Sequence, residues 1–457
     1  MKKFLLYMAV IMSITTACSD KLDLYPRTSV TPETITSKDV EVLLNGVYAA
    51  LRDGGTSYWA LGSLVEDLSA DNLLYRATFY QHGEIDDNAM LADNVLIQRY
   101  WLAPYTIIQR ANDVLEVLAN SSDLASDVKT RVEAEARFLR GYGYYRLVTL
   151  FGGVPIVTSR DPGENLIPRD TEDAVWSYII DDIKFATTNA RPHSSAGVYY
   201  VSQEAAKLVL ARVYLIRGNN TEAKALADGL IASSSFGLVD AGSYNGIWSV
   251  TAPNAQENIF VVSVTTNDNG VTYHGFFLRH PSMPGGGRAE LPVVPGLYNL
   301  YEASDIRRSV ITHVPGAYTN PLYEYYCYKF QDPGDYTCKF YIARIAEAYL
   351  ISAEASYKLN ASDPSVLTNI NALRAKRGAS ALASVDLYDI INERRLELAF
   401  EGTRWTDMKR TPSASTPSKS MALEFLEAKG RTANDLLYPI PTSARDVNPQ
   451  LDQNPGY

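Results

Sequence analysis

A regular spacing of small and large apolar residues is what most limits the folds open to this chain. In AAKLVLARVYLIRGNNTEAKALADGLIAS, residues 205–233, Ala211, Tyr214, the Gly218-Asn219 turn, Ala223, Ala227 and Leu230 fall at the spacings of a tetratricopeptide repeat. Two short amphipathic helices would pack there, with a small residue letting their axes approach. Two looser units follow the same plan. EAEARFLRGYGYYRLVTLFGG (133–153) reads as a first helix and TEDAVWSYIIDDIKFA (171–186) as its partner, with Thr171 and the acids after it as a helix start. ARIAEAYLISAEASYKL (343–359) continues into VLTNINALRAKRG (366–378). Such units stack so that each buries its neighbour's face. The expected fold is therefore mainly α: a helical superhelix with tetratricopeptide-like repeats and a loop-rich, partly β insert.

The N-terminus is of a different kind. Lys2 and Lys3 precede an apolar stretch from Phe4 to Ile14, then small residues up to Ala17, then Cys18. This is the layout of a signal peptide, far shorter than the roughly 20 residues that span a bilayer. Small residues before a cysteine resemble the lipobox of bacterial lipoproteins. Residues 1–17 are accordingly expected to be removed and Cys18 to carry the lipid, leaving residues 18–457 as one unit tethered to a membrane surface.

The net charge of −10 argues against nucleic acid, which needs a basic field. Besides Cys18 there are Cys327 and Cys338, in YYCYKFQDPGDYTCKFY (325–341), whose aromatic arms around Asp-Pro-Gly-Asp read as a β-hairpin. A Cys327–Cys338 disulfide is expected if the register allows it, the alternative being two buried thiols. Tyrosine is abundant, 31 residues against 13 Phe and 5 Trp, and its apolar face and polar tip suit wet binding surfaces. Two regions are loop-rich, about 52–100 and 234–342, the latter including the β-like NIFVVSV (258–264). Long irregular stretches in a compact protein are where binding is expected.

Catalytic patterns are poor. H-E-x-x-H, G-x-S-x-G and the phosphate-binding G-x-x-x-x-G-K-[ST] are missing, Gly285-Gly286-Gly287 lacks the Lys-Ser/Thr that would follow, and the five histidines are scattered. No metal or cofactor is expected. Glu393 and Glu397, with Glu401 a turn further, lie side by side in INERRLELAFEGTRWTDMKR (391–410). A glycosidase needs carboxylates facing each other across a bond, so a salt-bridge network with Arg394, Arg395 and Arg404 is the expected role.

ERRLELAFEGTRWTDMKR (393–410) closely resembles the signature of the SusD/RagB family of outer-membrane nutrient-binding lipoproteins. Further blocks similar to the family occur in order: WLAPYTIIQRAND (101–113), EARFLRGYGYYRLVTLFGGVPIV (135–157), the repeat at 205–231, RIAEAYLISAEA (344–355) and YPIPTSARDVNPQLDQNPGY (438–457). The resemblance covers nearly the whole mature chain. It implies a SusD-like helical fold on the extracellular face of the cell outer membrane, lipid-anchored. It also implies a non-enzymatic partner of a SusC-like TonB-dependent transporter that captures oligosaccharide or polysaccharide for import. The helical-repeat side would meet the transporter and the loops opposite would bind glycan. Peptide or glycopeptide cargo on the same fold is one alternative, and a surface glycoside hydrolase is another.

The family has no fixed sugar-binding motif, so physical chemistry selects the candidates. A sugar offers a flat C–H face and a rim of hydroxyls, which an aromatic platform with nearby Asp, Asn or Arg would hold. Asp71, Tyr75, Arg76, Phe79 and Tyr80 form one such group in the sequence, and Trp248, Tyr273 and His274 another.

Overall fold

The computed structural model describes residues 37–52, 58–76, 78–159, 166–249, 256–263, 277–331 and 339–457. The expected leader and Cys18 lie outside the described residues.

Among the described residues the principal helices before the insert are α1 Val40–Ala50, α2 Tyr58–Leu68, α3 Tyr80–Asp86, α4 Val95–Asn120, α5 Ser126–Phe151, α6 Glu172–Asn189, α7 Gln203–Arg217 and α8 Asn220–Ile231, with one further helical turn at His193–Ala196. After it come α9 Ile345–Leu359, α10 Pro364–Arg377, α11 Leu387–Leu398 and α12 Arg404–Arg410. Local chemistry sets several of these ends. The Thr171 hydroxyl accepts from Ala174 N at 3.2 Å and the Ser202 hydroxyl from Ala205 N at 3.1 Å, each satisfying an amide that a helix start leaves open. Gly218 closes α7 with φ 79°, a left-handed turn that glycine adopts without a Cβ penalty.

From α4 to α10 each helix packs on the next in chain order, α8 reaching across the insert to α9. Ala211, Ala223, Ala227 and Leu230 are buried at the contacts their spacing implied. Close approach is needed elsewhere too. A Cβ at Gly143 would come within 3.1 Å of Ile108, and one at Gly141 within 3.1 Å of Asp182 and Ile183, so glycine lets α5 seat between α4 and α6. The main core runs from this stack into residues 259–262 and 291–301. Among the described residues no helix is long and apolar enough to cross a membrane.

The insert holds two antiparallel pairs, β1 Asn258–Ser263 with β4 Lys339–Arg344, and β2 Ile311–His313 with β3 Tyr325–Cys327. This corrects the expected hairpin. Its two arms, β3 and β4, belong to different sheets, because each finds its partner in an earlier strand. Among the described residues Cys327 is a free, buried thiol, pushed up to about 12 by burial. Cys338 lies outside the described residues.

A buried ion network fastens the insert to the scaffold, and its partners differ from those expected. Glu393 takes Arg307 at 2.6 Å and Arg374 at 2.8 Å, while Glu397 takes Arg344 and Arg377, each at 3.0 Å. Helix α11 ends at Leu398, and Phe400 at φ 69° turns the chain so that Glu401 faces Lys329 and Arg344, both at 2.6 Å. Burial opposes the charge of Glu397, but Arg377 and Arg344 outweigh it and hold the carboxyl well below its ordinary range. Arg394 instead pairs with Asp407 at 3.1 Å, and Arg395 and Arg404 pair with Asp71. Buried charges persist only when paired in this way.

Trp248 belongs to this network. It is 1 % exposed, with the Lys329 ammonium 4.5 Å from its ring centroid and the Arg344 guanidinium 4.8 Å away. It is therefore a core residue, unavailable as a sugar platform. Many tyrosines are likewise interior, their hydroxyls tied down: Tyr48 donates to Glu135 at 2.7 Å and Tyr301 to Leu396 O at 2.9 Å.

Candidate functional site

The two loop-rich regions, far apart in sequence, meet as one surface. Leu73 bridges Val293 in antiparallel sense, Leu74 N donates to Pro292 O at 2.9 Å, Arg76 N to Glu290 O at 3.0 Å, and Val294 N to Asn72 O at 2.9 Å. Val293 N in turn donates to Tyr325 O at 2.8 Å, so the first sheet-like pairing continues into β3. Residues 72–76 are thereby held as a short extended segment, and the four candidates Tyr75, Arg76, Phe79 and Tyr80 lie along its end and the start of α3.

Tyr75 is half-buried. Its ring lies on Gly83, where a Cβ would come within 2.9 Å of it, and its amide donates to Asp86 Oδ2 at 2.8 Å. Arg76 is fixed more firmly. Nε donates to Ala289 O at 2.7 Å and Nη2 to Arg288 O at 3.1 Å, while the guanidinium carbon sits 4.0 Å from the Tyr318 ring centroid. Ala289 has φ 51°, and this left-handed turn accompanies the carbonyl that Arg76 engages.

Phe79 and Tyr80 form the exposed ledge, at 40 % and 66 % exposure. Phe79 is supported edge-on by Phe277 at 5.7 Å, and Arg288 lies 4.9 Å from its centroid. Below it Glu290 is buried, its Oε1 accepting from Phe79 N at 2.8 Å and lying 3.3 Å from His82 Nδ1. His280 stands 5.2 Å from Tyr326 and 6.0 Å from Tyr318. Farther along, His313 stacks on Tyr325 at 4.5 Å and 9°, with Tyr298 4.7 Å beyond. Spacing within the sequence could not signal Tyr318, His280 or Arg288, since only the fold brings them to residues 75–80.

Asp71 sits at the root of the segment. Arg404 reaches it at 2.7 and 2.9 Å and Arg395 at 3.2 Å. Burial works against its charge, the two guanidiniums outweigh that, and the carboxyl is held below its ordinary range. Its contacts hold the fold together beneath the ledge. Tyr273 and His274 lie outside the described residues.

The arrangement offers aromatic faces, one anchored guanidinium and several imidazole or phenol hydrogen-bonding groups. Among the described residues no group of three His, Cys, Asp or Glu side chains is set to hold a metal. Larger concavities among the described residues lie elsewhere. One is an apolar groove of about 530 Å³ lined by Trp101, Leu102, Tyr105, Ile167 and Val447, and another is a cavity of about 480 Å³ beside Tyr48, Tyr199 and Tyr200.

The SusD family model matches residues 301–457, and a SusD-like model described as starch-binding associating with outer membrane matches residues 20–215. SusD-like protein P2 of Formosa agariphila is 26 % identical, the match covering all of both chains. A SusD-like protein of Bacteroides ovatus is 25 % identical over 67 % of this chain and 64 % of that one. Among solved structures, a laminarin binding SusD-like protein is 25 % identical with a TM-score of 0.79, covering 92 % of this chain and 100 % of that one. Surface glycan-binding protein A from Bacteroides uniformis shares the fold at 23 % identity, with a TM-score of 0.79 over 92 % of this chain and 99 % of that one. With SusD family matches over residues 20–215 and 301–457, a SusD-like relative aligned over the whole chain and a structural match over 92 % of it, the chain belongs to the SusD/RagB family.

Proposed function

We propose that this chain is a cell-surface glycan-binding lipoprotein that captures oligosaccharides at the 75–80 ledge and delivers them, uncleaved, to a SusC-like TonB-dependent transporter. Residues 18–457 act in this reading as one unit, held on the outer face of the outer membrane by lipid on Cys18 after removal of residues 1–17. The observation that carries the proposal is the exposed Phe79–Tyr80 pair beside Arg76, which is already fixed on two carbonyls and the Tyr318 ring. Such a ledge takes the C–H face of a sugar while anchored polar groups meet its hydroxyls, and prior anchoring lowers the ordering cost of binding. A structural relative is named for binding laminarin, which agrees with a saccharide cargo.

Hydrolysis fits less well. The carboxylates nearest the ledge, Glu290 and Asp86, are engaged by the Phe79 and Tyr75 amides, whereas bond cleavage requires an open pair facing each other across the scissile bond. Peptide cargo is the competing binding reading.

The test is calorimetric titration of the full chain in detergent with laminarin, plant and microbial polysaccharides, and a peptide digest. Saturable glycan binding weakened by Tyr80→Ala is the expected result. Binding confined to peptides would overturn the glycan reading, and accumulation of shortened glycan would overturn the non-catalytic one.

A further inference from the structure

The chain as a whole has net charge −10, yet Arg76 brings a guanidinium to the ledge, while the buried Glu290 carboxylate accepts from the Phe79 amide and Asp86 from the Tyr75 amide. Glu290 is 3.9 Å from Arg288 and also near His82. Arg76 has no carboxylate partner among the described residues. Its Nε and Nη2 are spent on backbone carbonyls and its face on Tyr318, which fixes the direction of the rest of the guanidinium without neutralising it. Arginines of the core behave otherwise: Arg307, Arg344, Arg374 and Arg377 each meet at least one carboxylate at 3.0 Å or less. His280 registers the same field, since burial and then the Arg76 charge hold its imidazole below the usual range.

A fixed guanidinium with no carboxylate partner among the described residues, set beside an aromatic ledge, is suited to a planar or tetrahedral oxyanion carried on a sugar ring. Charge-assisted hydrogen bonds of this kind are shorter and about twice as strong as neutral ones. Resting on the glycan reading above, we infer that the sugar bound at this ledge is anionic, bearing a carboxylate or a sulfate ester that Arg76 receives.

The test compares matched ligands on the full chain in detergent. Polygalacturonate is titrated against its carboxyl-reduced form, a sulfated galactan against its desulfated form, and laminarin serves as the neutral reference. The charged member of at least one pair is expected to bind about tenfold more tightly than its neutralised form. A difference in the first pair alone assigns a uronate, and in the second alone a sulfate. Raising NaCl from about 50 to about 500 mM should shrink that preference in the unmodified protein, a readout that needs no variant. Arg76→Gln should bring the charged-to-neutral ratio toward one. Equal affinity within both pairs, together with binding of neutral laminarin, would overturn the anionic inference and leave the glycan reading standing. Binding of no carbohydrate in the panel would overturn both.

Discussion

Arg404 holds both carboxylate oxygens of Asp71, at 2.7 and 2.9 Å, and so ties the family signature to the root of the ledge. Removing Asp71 leaves Arg404, itself 4 % exposed, without its closest counter-charge. Because a quarter of the Asp71 side chain is exposed (25 %), Asp71→Ala is expected to cost about 2–3 kcal/mol rather than the full penalty of a wholly buried pair. Urea unfolding would measure it, and glycan affinity should fall as well, through loss of position at residues 72–76.

Trp248→Ala is expected to act on stability. The ring fills a closed space between Lys329 and Arg344, and truncating a buried tryptophan costs about 3–5 kcal/mol. A lowered melting temperature with unchanged affinity below it is the expected pattern. Lost affinity with unchanged melting would contradict the placement.

Phe79→Ala and Tyr80→Ala should show the opposite pattern. Both side chains are exposed, so stability should move by no more than about 0.5 kcal/mol. Losing a stacking face should weaken glycan binding by about tenfold. Thermal melting and titration on the same samples separate the two effects.

Gly83→Ala tests the support under Tyr75. A new methyl within 2.9 Å of the ring must push it aside, costing about 1–3 kcal/mol. Affinity should drop alongside the melting temperature, because the displaced ring adjoins Arg76.

Acid should destabilise the fold through its paired carboxylates. Burial opposes the charges of Glu354, Glu401 and Asp407, but Arg410, Arg344 and Arg394 respectively outweigh it, so each carboxyl is held below its ordinary range. A lowered folded-state pKa means that this stability is present above the unfolded value of about 4 and is lost as pH falls below it. Asp67 works in the other direction. Burial raises it to about 7 despite hydrogen bonds from Asn72 and Phe400. Its contribution is complete below the unfolded value and disappears as pH rises through about 7. Asp67→Asn should therefore be more stable than the natural protein at pH 8, by on the order of 2 kcal/mol, and should lose that advantage at pH 4. Denaturant midpoints across that range would show the slope.

How much of this was legible in the sequence depends on range. The stack of helices follows from local periodicity, and the small residues 211, 223 and 227 mark contacts between neighbouring elements. Pairing of residues 72–76 with 290–294 spans more than two hundred positions and leaves no spacing to read. The same limit explains the hairpin. Aromatic arms mark β3 and β4 as extended, but propensity does not name a partner, and each pairs with an earlier strand. Glu393 and Glu397 were recognisable as structural, while their arginines come from three other segments. Trp248 and Tyr80 are both aromatic residues in loop-rich stretches, and burial alone separates the core residue from the ledge.

The most direct measurement of the central claim is titration of the full chain with the best-bound glycan of the panel, beside Tyr80→Ala and Trp248→Ala at a temperature where all three are folded. The account expects saturable binding to the unmodified chain and to Trp248→Ala, and strongly weakened binding to Tyr80→Ala. Undiminished binding by Tyr80→Ala, or its loss only in Trp248→Ala, would contradict a binding site at the 75–80 ledge.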